Sequence, residues 1–339
     1  MNPTHLSSVF SGLSSEHKFQ KYRELWSMAK DYKILTDFPL HLDIELSGVC
    51  NLRCSLCFQN GLIDGPLGLM DVDLYKKIID DSVTNGLCAI KLQNRGESFL
   101  HPHIFECIRY AKDQNVLDVQ ITTNATLLDD KNIEGIINSG LDCIIFSVDS
   151  HHENSYSEKN RQRQYLSIDN AIKSLMTLRN HYKKKHPWVR IQSSIHQSDP
   201  KTIQKVKTHL NQRFPDADLI VVNRIHNFRD DTDAFPDLNI NYYLDPCAHL
   251  MQRLAILWDG EVTTCCGDYN NKFKLGNLKD TSIQRIWLSN KMMKFREIHK
   301  TNQRRTMPIC KHCQASLTAK TDEVMIDTTN RHIADQPNI

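Results

Sequence analysis

The hydrophobic and polar positions change rhythm along the chain. Across residues 14–34, Phe19, Tyr22, Leu25, Trp26 and Ala29 recur at helical spacing and predict an amphipathic helix. From residue 41 onward, short apolar runs alternate with longer helical patterns. Strands are predicted at 41–46, 88–94, 117–124, 141–149, 188–195 and 218–225. Helices are predicted at 71–86, 102–115, 128–140, 167–185 and 200–214. Asp71 or Asp73 opens the first of these, and Gly86 and Gly140 are stops. Six strands with helical crossovers imply a parallel sheet, which right-handed connections can curl into a barrel or part of one. Ligands in such folds bind at the carboxyl ends of the strands.

After about residue 235 the alternation stops. A turn-rich stretch is followed by a hairpin pattern over 254–266, with Asp259-Gly260 at its turn. One helix is predicted over 282–300, then a C-x2-C pair at 310–313 and a polar tail.

Composition narrows the function classes. A chain of 339 residues can bury a sizeable core. Its 40% hydrophobic and 24% charged residues are those of an ordinary globular protein. A net charge of +2 gives no electrostatic support to a nucleic-acid or membrane partner. The basic run at 183–190 reads as a solvated helix end. No stretch reaches the roughly 18–20 apolar residues of a membrane helix. The N-terminus lacks the charged-then-apolar pattern of a secretory signal, so a cytoplasmic location is expected.

Eleven cysteines change the picture, because they cluster. In a reducing compartment such clusters point to metal or redox chemistry rather than disulfides. Cys50, Cys54 and Cys57 form C-x3-C-x2-C just after the first strand. A structural zinc needs a fourth ligand, and the next histidines, His101 and His103, lie more than forty residues on. Three cysteines can instead hold three irons of a [4Fe–4S] cluster and leave the fourth open to a small molecule. The second group is Cys247, Cys265, Cys266, Cys310 and Cys313, whose thiolates suit either a zinc ribbon or a fully ligated Fe–S cluster. Cys88, Cys107 and Cys143 fall in strand or helix patterns and read as core.

The segment CNLRCSLC, with Leu56 before the third cysteine, resembles the radical S-adenosylmethionine (radical SAM) enzymes. The resemblance implies that the open iron chelates S-adenosylmethionine, whose cleavage gives a 5′-deoxyadenosyl radical that removes hydrogen from a substrate carbon. NRGESFLHP resembles the family's GGEPLLHP and implies that Gly96 and Glu97 hold the cofactor's amino group. Arg95 departs from the first glycine of that motif and Ser98 from the proline. TTNATLL implies a role for Asn124, and FSVDS a cofactor contact for Ser147. The stretch after residue 160 implies that Arg161 faces the cofactor carboxylate, with Arg163 its competitor.

The C-terminal region resembles the SPASM/Twitch extensions of this family. No cysteine follows Cys313, so the resemblance is to the shorter Twitch form, with one auxiliary [4Fe–4S] cluster on Cys247, Cys265, Cys310 and Cys313. The expected fold is α/β: a partial (β/α)6 TIM-like barrel with a small C-terminal Twitch-type domain. The expected divisions are an N-terminal helical extension (1–40), the barrel (41–235), the auxiliary-cluster domain (236–318) and a polar tail (319–339).

The cysteine spacing resembles that of a radical SAM dehydrogenase acting on an aminocyclitol alcohol. It implies oxidation of a sugar, aminocyclitol or similar small molecule, with flavodoxin or ferredoxin as reductant. Asp268 is then the candidate base. An epimerase using Cys266 as hydrogen donor, a peptide-modifying maturase and, outside enzymology, a zinc-binding interaction protein stay open.

Overall fold

The computed structural model describes residues 2–54, 57–148, 158–195, 200–224, 246–311 and 313, with the side chains of 158–165 and 223–224 excepted. Its frame is a parallel sheet of β1 (His41–Ile44), β2 (Ala89–Lys91), β3 (Asp118–Thr123), β4 (Cys143–Ser147), β5 (Trp188–Ile195) and β6 (Leu219–Arg224). These match the six strands expected from the sequence, each trimmed by up to a few residues at its ends. The connecting helices are α3 (Val72–Thr84), α4 (Ile104–Asp113), α5 (Asp130–Asn138), α6 (Glu158–His181) and α7 (Pro200–Arg213). They are preceded by α1 (Leu6–Val9) and α2 (Ser15–Lys30). Helix starts follow local chemistry. Asp71 accepts from the N–H groups of Asp73 and Leu74, and Asp129 from that of Asn132, so both cap orphan donors.

The register sorts the side chains by face. Leu42, Ile90 and Val119 are fully buried on one face; Asp43, Lys91 and Gln120 stand in line on the other. Ile144, Phe146 and Ile191 continue the apolar face, and Arg190 and Gln192 the polar one. Burying the apolar face under helices supplies the driving force for the fold. The polar face is unlike the aliphatic filling of a closed (β/α)8 barrel. The buried Cys88, Cys107 and Cys143 do belong to the interior.

Two features were not legible in the periodicity. The first is that the C-terminal region joins the same sheet. β7 (Arg253–Ile256) pairs in parallel with β1, β8 (Glu261–Thr263) is antiparallel to β7, and β9 (Gly276–Asn277) follows β8. Among the described residues the sheet therefore runs β6-β5-β4-β3-β2-β1-β7-β8-β9. The second concerns the single helix expected over 282–300, which is two. After the short α8 (His249–Gln252) come α9 (Ile283–Trp287) and α10 (Asn290–Lys300). Ser289 accepts from Met292 N–H and starts a fresh helix, because its side chain competes for the donors that would continue the first.

Helix α2 covers the amino ends of the strands. Trp26 lies edge-on to His41, the first residue of β1, and under the guanidinium of Arg253, the first of β7. Tyr22 is buried beside it, and burial pushes its hydroxyl pKa up. Trp287 fastens the other end of the chain. It is fully buried, donates Nε1–H to Thr36 O at 2.8 Å, and carries Arg296 at 4.1 Å from its ring.

Trp287→Ala should cost about 3–5 kcal/mol through the cavity it leaves, read as a lower urea midpoint at unchanged slope. His41 gives a pH test. Burial lowers its pKa from 6.5, outweighing the bond to Asp43, so the folded protein holds the neutral ring. Its contribution to stability is present above pH 6.5 and is lost as pH falls through the folded value. Anaerobic urea melts at about pH 7.5 and about pH 5.5 should show that loss in the native protein and less of it in His41→Gln.

Candidate functional site

Strand β1 ends in a loop that turns back over the sheet. Glu45 N–H still donates to Ile256 O of β7, and Gly48 and Met70 tie the loop to its return through Gly68 O and Leu46 O. Cys50 follows, half-buried. Its sulfur receives Leu52 N–H at 3.5 Å and Asn124 Nδ2–H at 3.9 Å, and burial raises its thiol pKa. Cys57 N–H donates to Cys54 O, so those two cysteines sit on one turn. Leu56 lies outside the described residues.

Gly96, Glu97 and Asn124, three of the residues expected to surround this loop, meet it from the neighbouring strand ends. Gly96 packs so closely that a Cβ would lie 2.3 Å from both Ser47 O and Val49 O. Glu97 is buried; its backbone N–H donates to Val49 O, and its carboxylate accepts from Thr123 Oγ1 at 2.8 Å and Asn124 N at 2.8 Å. Burial raises its pKa, and these bonds with that from Phe99 N–H oppose the rise. Asn124 bridges on to Asn51 Oδ1 at 3.0 Å. Ser147 is the last residue of β4. Arg161 and Arg163 lie in α6, but their side chains are outside the described ones.

The second cysteine group has its own scaffold. Cys247 is held at both backbone atoms: its N–H donates to His299 Nδ1 at 3.1 Å and its carbonyl accepts from Tyr32 Oη at 2.9 Å. Arg304 donates to the carbonyls of Cys310 and Cys313. Cys265 is half-buried; desolvation raises its pKa, and Cys266, Cys313, Cys247 and Cys310 raise it further. The charges around Cys266 differ. After burial, its pKa responds first to Lys91, Asp43 and Arg253 and only then to Cys313. Cys265 thus lies within electrostatic reach of the other four thiols, and Cys266 within reach of Lys91, Asp43 and Arg253 as well as Cys313. Asp43 stands 3.5 Å from both Lys91 Nζ and Arg253 Nη1. Burial pushes the Asp43 pKa up, but those cations and His41 hold it well below the usual carboxylate range.

Four half-buried thiols within electrostatic reach of one another suit a cationic centre, which would hold them as thiolates. A second observation fits. His299 accepts at Nδ1, so its proton sits on Nε2, which is buried and has no hydrogen-bond partner among the described residues. A donor left so beside Cys247 suits an acceptor such as a cluster or thiolate sulfur. No three His, Cys, Asp or Glu side chains among the described residues gather as a site for a single metal ion.

Asp268 takes a different place from that of a waiting base. It is fully buried, and its carboxylate accepts from Thr263 Oγ1, Lys272 N and Phe273 N at 2.6–2.9 Å. These bonds pin the turn after Cys265 and Cys266. Service as a base would require the donors to let go.

Sequence reasoning passed over Glu45, Tyr32, His299 and Arg304, and saw Arg95 only as a departure from a glycine. Arg95 clamps the fully buried Glu45 through Nε–Oε2 at 2.7 Å and Nη2–Oε1 at 2.6 Å. The one available signal was a glutamate closing an otherwise apolar strand pattern, HLDIEL.

Comparison with known proteins gives this geometry a family. Residues 44–191 match the model of the radical SAM superfamily, and residues 247–314 match SPASM, an iron–sulfur cluster-binding domain. The chain is a radical SAM protein with a SPASM-type domain, and its cofactors are S-adenosylmethionine and [4Fe–4S] clusters. That assignment removes the reading as a zinc-binding interaction protein.

Among curated proteins it is 25% identical to the tungsten-containing aldehyde ferredoxin oxidoreductase cofactor-modifying protein of Pyrococcus furiosus, over 80% of this chain and 86% of that one. Among solved structures it resembles BtrN in complex with AdoMet and 2-DOIA, with a TM-score of 0.55 and 17% identity over 81% of this chain and 92% of that one. Streptococcus suis SuiB bound to the precursor peptide SuiA gives a TM-score of 0.51 and 15% identity over 91% and 76%. These two likenesses share the fold, a partial barrel of parallel strands. No helix among the described residues is long and apolar enough to cross a membrane.

Gly96→Ala should break the loop packing because two backbone oxygens block the new methyl. Iron per chain is expected to fall by about half if each site holds a four-iron cluster. Full iron with native S-adenosylmethionine affinity would contradict the tight approach.

Proposed function

We propose that this protein is a radical SAM dehydrogenase that oxidises an alcohol carbon of a small, hydrogen-bonding substrate such as a sugar or aminocyclitol. When bound, the first cluster and S-adenosylmethionine supply a 5′-deoxyadenosyl radical that removes hydrogen from carbon, and an auxiliary cluster supplies an acceptor for the remaining electron. The observation that carries the reading is that the turn after Cys265 reaches the first cysteine loop: Tyr269 O accepts from Arg95 Nη1 at 3.0 Å, and the Tyr269 ring stacks on Phe58 at 5.1 Å. In this reading the auxiliary site, on Cys247, Cys265, Cys310 and Cys313, would lie close enough to the first cysteine loop to take an electron from the substrate radical.

The chain's own residues divide the remaining tasks. Cys50, Cys54 and Cys57 would hold the first cluster. Gly96, Glu97, Asn124, Ser147 and Arg161 would orient the cofactor, with Leu56 beside the third cysteine. Asp43, Lys91, Gln120, Arg190 and Gln192 offer charges and amides to hydroxyl groups, and such convergent polar groups fix orientation. Holding reacting atoms close and excluding water is the protein's share of such catalysis. A flavodoxin or ferredoxin is the proposed reductant.

Two observations favour other substrates or outcomes. Cys266, within electrostatic reach of Lys91 and Asp43 on the polar face, would serve an epimerase as hydrogen donor. The likeness in fold to SuiB, solved with a precursor peptide, keeps a peptide substrate in view.

The test is chemical. Anaerobically purified protein should hold iron near eight per chain, from two four-iron clusters, and yield 5′-deoxyadenosine on reduction. Cys54→Ala should abolish that product. In D2O, oxidation leaves no solvent deuterium at the reacting carbon and consumes one S-adenosylmethionine per product. Deuterium on carbon, with product of unchanged mass apart from that label, would favour the epimerase.

A further inference from the structure

The turn that would hold the cofactor and the turn that carries Cys265 meet through one buried side chain. Arg95 belongs to the first. Its backbone N–H and its guanidinium both bind Glu45, its carbonyl accepts from Gln59 Nε2 at 3.0 Å, and Gly96 and Glu97 follow it directly. Its remaining arm, Nη1, donates to Tyr269 O at 3.0 Å. Tyr269 lies four residues beyond Cys265, in the turn pinned by Asp268, whose own N–H donates to Cys265 O.

The same turn grips the first cysteine loop from the side. The Tyr269 ring stacks on Phe58, next to Cys57, at 5.1 Å and 9°. Asn270 Nδ2 donates to Leu62 O at 2.8 Å, and its Oδ1 accepts from Asp64 N–H at 3.1 Å. Trp258 N–H donates to Glu45 Oε1, so the β7–β8 hairpin also touches the clamp.

We propose that the 265–271 turn couples the two sites: when the auxiliary cysteines are held, Tyr269 and Asn270 fix Arg95 and the first cysteine loop in the geometry that binds S-adenosylmethionine. This inference rests on the functional reading above. Arg95 is a positioning residue, and it explains why an arginine stands where the family's motif has glycine. A planar fork can hold Glu45 with two arms and reach the auxiliary turn with a third, which no glycine or lysine can do. Because Glu45 is fully buried, the clamp has little freedom to shift, and a displacement at Cys265 reaches the cofactor turn rather than dissipating.

A double-mutant cycle tests it. S-adenosylmethionine binding is measured by equilibrium dialysis for the native protein, Arg95→Lys, Cys310→Ala and the double variant, with iron and melting temperature recorded for each. Cys310→Ala removes a proposed auxiliary ligand and leaves the first loop untouched. Each single variant should weaken binding about fivefold or more, the lower end of typical coupling between sites. The double variant should be no weaker than the worse single one.

Fold-losses that multiply in the double variant, or a Cys310→Ala protein that binds as tightly as native, would overturn the coupling. If Arg95→Lys loses iron from the first site or fails to fold, Asn270→Ala takes its place, since it cuts the turn's separate hold on the first cysteine loop, at Leu62 and Asp64, and leaves the buried Arg95–Glu45 pair intact. A native protein that neither binds nor cleaves S-adenosylmethionine would instead refute the functional reading itself.

Discussion

Both cysteine groups hang from one strand pairing. β1 is held by β2 on one side and by β7 on the other, in parallel register over His41–Ile44 and Arg253–Ile256. The loop after β1 carries Cys50, Cys54 and Cys57; the hairpin that starts with β7 delivers Cys265 and Cys266. Backbone hydrogen bonds in the sheet therefore set the distance between two chemistries that lie some two hundred residues apart in sequence. Parallel pairing of distant segments needs a long crossover and is closed only at the cost of chain entropy. The buried apolar face of the sheet offsets that cost.

The polar face then becomes available for function. Period-two alternation places every second residue opposite the helices, and here those positions hold Asp43, Lys91, Gln120, Arg190 and Gln192. Charges inside a protein are tolerated when paired. Asp43 meets Lys91 and Arg253, and Glu45 meets Arg95. Replacing such pairs by hydrophobic residues can be neutral or stabilising, so these buried pairs are weak evidence for stability and stronger evidence for a fixed arrangement of the strand ends. Helix α2 closes this face at the amino ends of the strands through Trp26 and Tyr22, leaving the carboxyl ends, where the cysteine loop lies, as the approach.

Much of the first site was legible because its signals are local. Three cysteines in eight positions need no tertiary information to stand out, and Gly96 and Glu97 were found by their order after the next strand. The structure adds why that glycine is required: two backbone oxygens leave no room for a Cβ. The second site was legible as a set of thiols but not as a choice among them. Cys265 and Cys266 are neighbours in sequence, and only their surroundings, four thiols for one and chiefly Lys91, Asp43 and Arg253 for the other, differ. Asp268 shows what spacing leaves out. Two residues past Cys266 it looked free to act as a base, yet three donors occupy it, because a short turn satisfies its backbone with whatever acceptor is near.

The sequence by itself determined the order of strands and helices in the parallel sheet and the two clusters of cysteines. Hydrophobic period and cysteine spacing are properties of near neighbours along the chain. Only the tertiary structure decided that the C-terminal region extends the same sheet, and that the 282–300 segment breaks at Ser289. It also decided that Tyr32, His299 and Arg304 hold the backbone of the second cysteine group, and that Arg95 joins Glu45 to Tyr269. Each depends on contacts between residues remote in sequence, whose energies come from burial and from pairing charges out of water. No local pattern records which distant partner will be there.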